Sequence, residues 1–296
     1  MKKRFSIVMV LLMVAMSVLT SFSFAASSDD VYVAMGADLS TEQRAVVLQL
    51  MGMSEEDLED IHLVQITNAM EHEKLGSYLP ASVIGSRALS CVRVEKTGSG
   101  GINVETKNIS YCTEGMYKNA LVTAGIENAN VLVAAPMNIS GTAGLVGAME
   151  AYKQLTGKNL KDENVDAAVD ELVTTGELAD NIGSSEDAEN LIALVKEEVA
   201  SEDLKTDEEI LQAIDDAAGQ LGITLDDSEK QLILKLMRKL ASLDLDPDKL
   251  KKQASDIYER LKGLGIDFSQ YDKDSIIESL TGWLSRLIEM CRSIFS

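Results

Sequence analysis

Two stretches of the chain carry side chains that could perform acid–base or nucleophilic chemistry. One is Glu71-His72-Glu73, an imidazole between two carboxylates, and the other is Ser140, a hydroxyl at the start of a glycine-containing turn. A serine becomes a nucleophile when a neighbouring base takes its proton, and His72 would be that base if the fold placed it beside Ser140. Glu71, His72 and Ser140 are therefore candidate catalytic residues.

The turn that follows Ser140 lacks residues that known phosphate and nucleophile loops require. Its last glycine, Gly147, is followed by alanine and not by the lysine of a nucleoside triphosphate loop. Asn138 stands where a nucleophile elbow needs glycine. What remains is a strand-to-helix connection capped by Ser140 or Thr142, either a tight packed turn or a weak anion or carboxylate site. Ser140, Gly141 and Thr142 are thus candidate ligand-binding residues.

The sequence predicts no metal site and no cofactor. Glu71, His72 and Glu73 are consecutive and point to different sides of a helix, whereas zinc needs three or four converging ligands. The segment from Asp244 to Asp248 resembles the start of a calcium loop, but Lys249 replaces the glycine that such a loop needs.

Residues 1–25 predict a secretory signal peptide. Lys2, Lys3 and Arg4 precede an apolar run, and small residues lead to a cleavage site after Ala25. The apolar run is too short for a comfortable membrane span, and no second segment of spanning length follows it. We therefore expect a mature chain without a membrane span, secreted or otherwise outside the cytoplasm, with association with the cell wall left open.

The charge of the chain excludes some partners. It contains 48 Asp and Glu residues against 27 Lys and Arg residues, a net charge of −21. Such a surface repels nucleic acid and anionic membranes. A peptide, a wall component or another envelope protein is the kind of partner that this charge allows.

Three cysteines, Cys91, Cys112 and Cys291, occur in a chain that is expected to meet an oxidising compartment. Cys91 and Cys112 fall near the outer ends of two strands that are predicted to pair, but out of register. Because disulfide geometry is strict, a Cys91–Cys112 bridge and a pair of free thiols both remain open. Cys291 is expected as a buried thiol on the last helix.

Residues 26–157 are predicted to form an α/β domain. The predicted strands are Ile61–Thr67, Arg87–Lys96, Ile102–Ile109 and Val131–Ala135, and helices begin near Ser40, Asn68, Thr113 and Thr142. The second and third strands flank Gly98-Ser99-Gly100-Gly101, which predicts a hairpin. The order strand, helix, strand, strand, helix, strand is typical of the ferredoxin-like split βαβ fold, with a mainly antiparallel sheet and extra helices. An antiparallel meander decorated by helices is the competing topology.

Residues 158–296 are predicted to form an acidic, all-α helical bundle. Apolar residues recur at helical spacing in the segments 186–200, 207–220, 228–243, 247–263 and 273–295. The last of these helices carries Trp283 on a broad apolar face, which would dock on its own domain or contact a partner protein.

The run from Ile66 to Gly157 resembles a family of secreted proteins of Gram-positive bacteria, the domain of unknown function 1002. The resemblance rests on five segments, ITNAMEHEKLGSYL, IGSRALS, the Gly-Ser-Gly stretch of the predicted hairpin, MYKNALVTAGIENANVLVAAP and ISGTAGLVGAMEAYKQLTG. It implies no activity, catalytic residue or cofactor. It does point to polar residues that packing alone would not demand, namely Asn68, Glu71, His72, Tyr78, Arg87, Asn119 and Ser140.

Two functions follow as expectations. The first is an extracytoplasmic, non-enzymatic binding or structural protein of the cell envelope, in which Asn68, Tyr78 and Asn119 would join Ser140 and its neighbours in ligand binding. The alternative is a secreted hydrolase-type enzyme that acts on a cell-surface substrate and uses the candidate catalytic residues Glu71, His72, Arg87 or Ser140, if the fold brings them together.

Overall fold

The part of the protein seen in a computed structural model, residues 30–157, 159–243 and 245–263, contains one β-sheet and ten α-helices. The strands are β1 (Val31–Gly36), β2 (His62–Ile66), β3 (Cys91–Lys96), β4 (Ile102–Ile109) and β5 (Ala129–Ile139). The helices are α1 (Thr41–Leu50), α2 (Asn68–Leu75), α3 (Ala81–Ile84), α4 (Glu114–Thr123), α5 (Thr142–Thr156), α6 (Asp162–Ile182), α7 (Ser185–Ser201), α8 (Asp207–Leu221), α9 (Asp227–Ala241) and α10 (Pro247–Gly263). The expected signal peptide, Cys291 and the Trp283 helix lie outside these residues.

The five strands form one mixed sheet in the order β2-β1-β3-β5-β4. β1 is parallel to β2, β4 is parallel to β5, and β3 is antiparallel to both of its neighbours, β1 and β5. Parallel neighbours need a crossover connection, which α1 and a 3-10 turn supply between β1 and β2, and α4 supplies between β4 and β5. The chain is thus a mixed α and β protein, with the sheet in its N-terminal part and most helices after it.

The predicted hairpin between Arg87–Lys96 and Ile102–Ile109 is wrong, because β5 lies between β3 and β4. β5 is largely apolar and buried and occupies the more central position, whereas β4 alternates polar exposed residues with apolar ones and forms an edge. The ferredoxin-like order and the antiparallel meander are therefore both corrected to a mixed sheet with two parallel and two antiparallel pairs among the described strands.

The sequence patterns do not predict β1 and α6. Every residue of β1 is buried, so the strand lacks the alternation that marks a half-exposed strand. The middle of α6 contains Thr174-Thr175-Gly176, which are weak helix formers. The glycine there has a packing reason, because a Cβ atom on Gly176 would lie 2.4 Å from the hydroxyl oxygen of Tyr111.

Most other helices are confirmed, and their caps explain where they begin. Ser40 caps α1 in a capping box, and Thr113 caps α4. The segments 186–200, 207–220, 228–243 and 247–263 correspond to α7–α10. Asn68 is the first residue of α2 and not its cap, which is Thr67. Within the described ranges, no helix combines the length and apolar character needed to cross a membrane.

The hydrophobic core continues from the sheet into the helices beyond Gly157. α5 packs across β1 and β3, and α4 packs against α6 and α7. Large buried side chains from all of these helices, such as Tyr117, Leu145, Leu172 and Leu191, belong to one cluster. Gly157, where the sequence predicts the boundary between two domains, therefore follows the last residue of α5. The helices after it share a core with the sheet.

The opposite face of the sheet carries a smaller core under α1, which includes Val33, Met35 and Leu48. Cys91 belongs to this smaller core, whereas Cys112 belongs to the large core on the other face. Both residues are free thiols. The bridge between them that the sequence leaves open is therefore not formed, because they belong to cores on opposite faces of the sheet.

Candidate functional site

A cleft lies at the edge of the sheet that is formed by the ends of the strands, and not by an outer strand. β1, β2, β4 and β5 all end at this edge, and β3 begins there, as the pairs Ala34↔Val92, Cys91↔Ala134 and Ile109↔Ile139 show. The connections that leave the sheet here come from distant parts of the sequence. Ligand sites of proteins with open α/β sheets commonly lie at such an edge.

A polar cleft of about 440 Å³ lies at this edge. Its walls are α3 with the segment that leads to β3, the β4–α4 connection and the β5–α5 connection, and α2 adds one buried residue. Seven of the sixteen lining residues carry a hydroxyl group, namely Ser82, Ser86, Ser90, Ser110, Tyr111, Ser140 and Thr142. The charged residues of the lining are Arg87 and Glu71.

The cleft brings together five of the residues that the sequence singles out. Glu71, Arg87, Ser140, Gly141 and Thr142 all line it, although they come from three separate segments of the chain. The remaining lining hydroxyls are not predicted from the sequence. Two of them, those of Ser86 and Ser90, fall within the segment IGSRALS, and that segment is the signal that could have found them.

Asn68 and His72 lie beside the cleft and hold one of its walls. The Asn68 amide donates to the carbonyl oxygen of Gly85 at 3.3 Å, and His72 Nε2 lies 3.2 Å from the same oxygen. The Ser140 hydroxyl lies 3.4 Å from that of Thr142. His72 is thus tied to the Gly85 turn, and the structure does not form the His72–Ser140 pair that a hydrolase would use.

The β5–α5 connection is built around Gly141, the N-cap residue of α5. Its φ of 92° favours glycine, and a Cβ atom there would lie 2.5 Å from Ile109 Cγ2 and 2.7 Å from the Tyr117 hydroxyl oxygen. That hydroxyl donates to the Gly141 carbonyl oxygen at 2.5 Å. The sequence predicts that the hydroxyl of Ser140 or Thr142 caps this helix. Instead, the Ser90 hydroxyl accepts a hydrogen bond from the first turn of α5, from the Gly144 N–H at 3.0 Å.

Glu71 is a buried carboxyl beside the cleft without a lysine or arginine partner among the described residues. Only 1% of its surface is exposed. Its Oε1 accepts the Thr142 hydroxyl at 2.8 Å, and its Oε2 lies 3.5 Å from the Asn68 amide nitrogen. Burial raises the pKa of Glu71, while these two hydrogen bonds and the nearby His72 ring act in the opposite direction. A perturbed carboxyl in a cleft is a common mark of a functional site.

Arg87 is exposed, and it differs from the other arginines whose side chains are described because it forms no ion pair with a carboxylate. The others each form an ion pair: Arg44 with Glu55, Arg93 with Glu95, and Arg238 with Asp207. An unpaired guanidinium in a chain with so many carboxylates leaves its donors available to a ligand.

Tyr78 and Asn119, also singled out from the sequence, lie outside the cleft. The Tyr78 ring faces Lys239, whose Nζ lies 5.1 Å from the ring centroid. The Asn119 side-chain amide donates to the carbonyl oxygen of Glu189 at 2.9 Å, and the backbone carbonyl oxygen of Asn119 accepts from Lys196 at 3.1 Å. Both side chains therefore join the sheet region to the helices that follow it.

Neither described thiol has the properties of a nucleophile. Burial raises the pKa of Cys91 and that of Cys112 to about 12, so both remain protonated at neutral pH. In the ranges that the structure covers, no three His, Cys, Asp or Glu side chains are grouped to hold a metal ion.

The fold and the cleft define an α+β protein with a polar pocket at one edge of a mixed sheet. The chain belongs to the family described as "Protein of unknown function (DUF1002)", whose pattern matches residues 35–257 and so includes every residue of the cleft. It is 40% identical over 251 residues to the "Uncharacterized protein YpuA" of Bacillus subtilis (strain 168). These 251 residues cover 84% of this chain and 83% of that protein. No solved structure matches the chain significantly.

Proposed function

We propose that this protein is a non-enzymatic binding protein that works outside the cytoplasm and takes a small polar ligand in the cleft. The observation that carries this proposal is the convergence of Glu71, Arg87, Ser140 and Thr142 on one cleft from three distant segments. A volume of about 440 Å³ is within the range of pockets that enclose small ligands. Hydroxyl groups that can both donate and accept suit a ligand with several polar atoms.

Binding explains the cleft better than hydrolysis because of the hydrogen bonds its side chains make. A serine nucleophile needs a base within about 2.6–3.2 Å, but the hydroxyl near Ser140 is that of Thr142, and His72 lies at the Gly85 carbonyl. The Thr142 hydroxyl in turn donates to Glu71. These contacts fix the shape of the cleft, which is what a binding site requires.

The proposed location rests on the first 25 residues, in which basic residues, an apolar run and a small-residue site follow one another. A secreted chain would meet peptides, wall components and other envelope proteins. The net charge of −21 disfavours nucleic acid. Mass spectrometry of the exported protein checks this part of the proposal, since the mature N-terminus should be Ala26, and a chain retained in the cytoplasm with its first residues intact would refute it.

A blocked cleft tests the binding function. The full chain would be titrated calorimetrically with a panel of small peptides and wall sugars, and the best ligand would be measured again with Ser86→Tyr, which places a large ring at the cleft. Ser228→Tyr, an exposed serine on α9 far along the chain, is the matched control. We expect at least tenfold weaker binding for Ser86→Tyr and no change for Ser228→Tyr.

Two outcomes would overturn this proposal. Equal binding by both variants would place the ligand elsewhere on the protein. Conversion of a panel member into product, seen by mass spectrometry and lost in Ser140→Ala, would establish the hydrolase alternative instead.

A further inference from the structure

We infer that the group recognised in the cleft is a free carboxylate at the C-terminus of a short peptide, and that Arg87 is the residue that binds it. The inference rests on the proposed binding function and names its ligand class. It stands on the unpaired guanidinium, on the backbone donors where β5 leads into α5, and on the mixture of hydroxyl and apolar groups in the rest of the lining.

Arg87 supplies the positive charge for such a ligand. The lining contains this arginine and no lysine, and Arg87 forms no ion pair within the described part of the chain. With 48 acidic residues in the chain, a carboxylate partner would be easy to provide, as it is for Arg44 and Arg93. The planar guanidinium matches a carboxylate through two parallel N–H···O bonds.

The wall formed by the β5–α5 connection supplies backbone donors at the start of α5. Thr142 and Ala143 are the first two residues of this 15-residue helix and line the cleft, and the N–H groups of a first helical turn have no partner within the helix. Gly141 has no side chain that could occupy them. Because the Tyr117 hydroxyl holds the Gly141 carbonyl, the peptide that carries the Thr142 N–H is fixed in place. A negative group is favoured at this end of a helix.

The rest of the lining fits a peptide. The hydroxyls of Ser82, Ser86 and Ser140 can donate to and accept from amide groups, while Val83, Leu89 and Ile139 offer apolar contacts to a side chain. A phosphate fits less well than a carboxylate, since a doubly charged group would meet one arginine and a buried glutamate. Capture of a terminal carboxylate by backbone donors is a known mode of peptide recognition.

A matched pair of peptides tests the inference directly. The full chain would be titrated at pH 7 with N-acetyl-Leu-Ala as the free acid and as the C-terminal amide, with inorganic phosphate and N-acetylglucosamine as further arms. We expect the free acid to bind and the amide to bind at least tenfold more weakly. Arg87→Ala should weaken binding of the free acid about tenfold or more, while Arg93→Ala, on the opposite face of the sheet, should not; thermal unfolding would verify that both variants are folded.

The contrary results fall into two groups, those that overturn the carboxylate inference alone and one that also overturns the binding function. Three results would overturn the carboxylate inference and leave the binding function in place. They are equal affinity for the acid and the amide, equal losses in Arg87→Ala and Arg93→Ala, and phosphate binding as tight as that of the acid. Binding of the sugar but not of the free acid would do the same. A chain that binds none of the four probes at millimolar concentration would refute both this inference and the small-ligand function on which it rests.

Discussion

Two buried glutamates, Glu71 beside the cleft and Glu171 among the helices, show how differently one residue type is used in this protein. Exposure is 1% for Glu71 and 0% for Glu171, and burial raises the pKa of both. Glu171 has a cation, because Lys196 Nζ lies 2.7 Å from its Oε1 and is itself fully buried. Among the described residues, the hydrogen-bond partners of the Glu71 carboxyl are the Thr142 hydroxyl and the Asn68 amide.

The environment of Glu171 is closed. Lys196 also donates to the Asn119 carbonyl and to the Thr123 hydroxyl, each at 3.1 Å, and Thr123 donates to the second oxygen of Glu171. All three ammonium donors thus have acceptors, and the network links α4, α6 and α7. A satisfied buried network specifies one packing arrangement. It leaves nothing for a ligand to bind.

The environment of Glu71 is open. Its carboxyl lies next to a cleft, and the cost of burying its charge is offset by two hydrogen bonds and the nearby His72 ring, without a lysine or arginine partner among the described residues. A group held in this way is sensitive to anything that enters the cleft. Glu171 is thus a buried charge that joins helices, whereas Glu71 is a buried charge that lines the cleft.

The largest effect is expected when Lys196 is changed. Lys196→Met leaves Glu171 buried without its cation, which should lower the free energy of unfolding by about 3–5 kcal/mol. Urea denaturation measures this change. The double variant Glu171→Leu with Lys196→Met should recover much of the loss, and Lys235→Met, on the exposed side of α9, should have little effect. If Lys196→Met is as stable as the parent protein, the ion pair does not join the helices.

A matched pair of threonines comes next. Thr123→Val removes a group that donates to Glu171 and accepts from Lys196, and we expect a loss of about 2–3 kcal/mol. Thr142→Val removes a single donor to Glu71, with an expected loss of about 1 kcal/mol. Both losses can be measured by urea denaturation under one set of conditions. The reverse ranking would mean that the network at Glu71 is the more tightly coupled one.

Glu71→Gln should change how stability depends on pH. The folded-state pKa of Glu71 is raised, so its contribution to stability is fully present below the unfolded-state value of about 4.3 and is lost as the pH rises through the folded-state value. Glutamine keeps an acceptor for Thr142 but carries no charge. The variant should therefore match the parent protein at pH 4 and be more stable at pH 8, by on the order of 1 kcal/mol.

Urea midpoints at pH 4, 6 and 8 measure this difference. Glu73→Gln is the control, because Glu73 lies on the same helix and is exposed. A Glu71→Gln variant that is less stable than the parent at pH 8 would show that the carboxylate is stabilised in the folded protein, contrary to the comparison made above.

The smallest effect is expected for Arg87→Ala. Arg87 is exposed and unpaired within the described residues, so its removal should change the free energy of unfolding by less than about 0.5 kcal/mol. Thermal and urea unfolding measure this directly. A larger loss would mean that the guanidinium holds the wall of the cleft and is not kept for a ligand.

Local patterns predicted much of the secondary structure and part of the site. Ser40 and Thr113 cap the helices that follow them, and the stripes of α7–α10 are buried as expected. Strand pairing could not be predicted in the same way. The glycines between β3 and β4 favour a hairpin, but the long apolar β5 gains more by lying between the two strands. β1 escaped detection because a fully buried strand has no alternation.

The family, the helix caps, the apolar stripes of the helices and a short set of candidate polar residues could all be predicted from the amino-acid sequence. Which of those residues meet depends on the tertiary structure. It placed Glu71, Arg87, Ser140, Gly141 and Thr142 around one cleft and assigned Tyr78 and Asn119 to contacts between sheet and helices. The physical reason is that caps and periodicity depend on neighbours along the chain. Pairing order, and with it the edge where the strands end, depends on competition between distant segments for the same core.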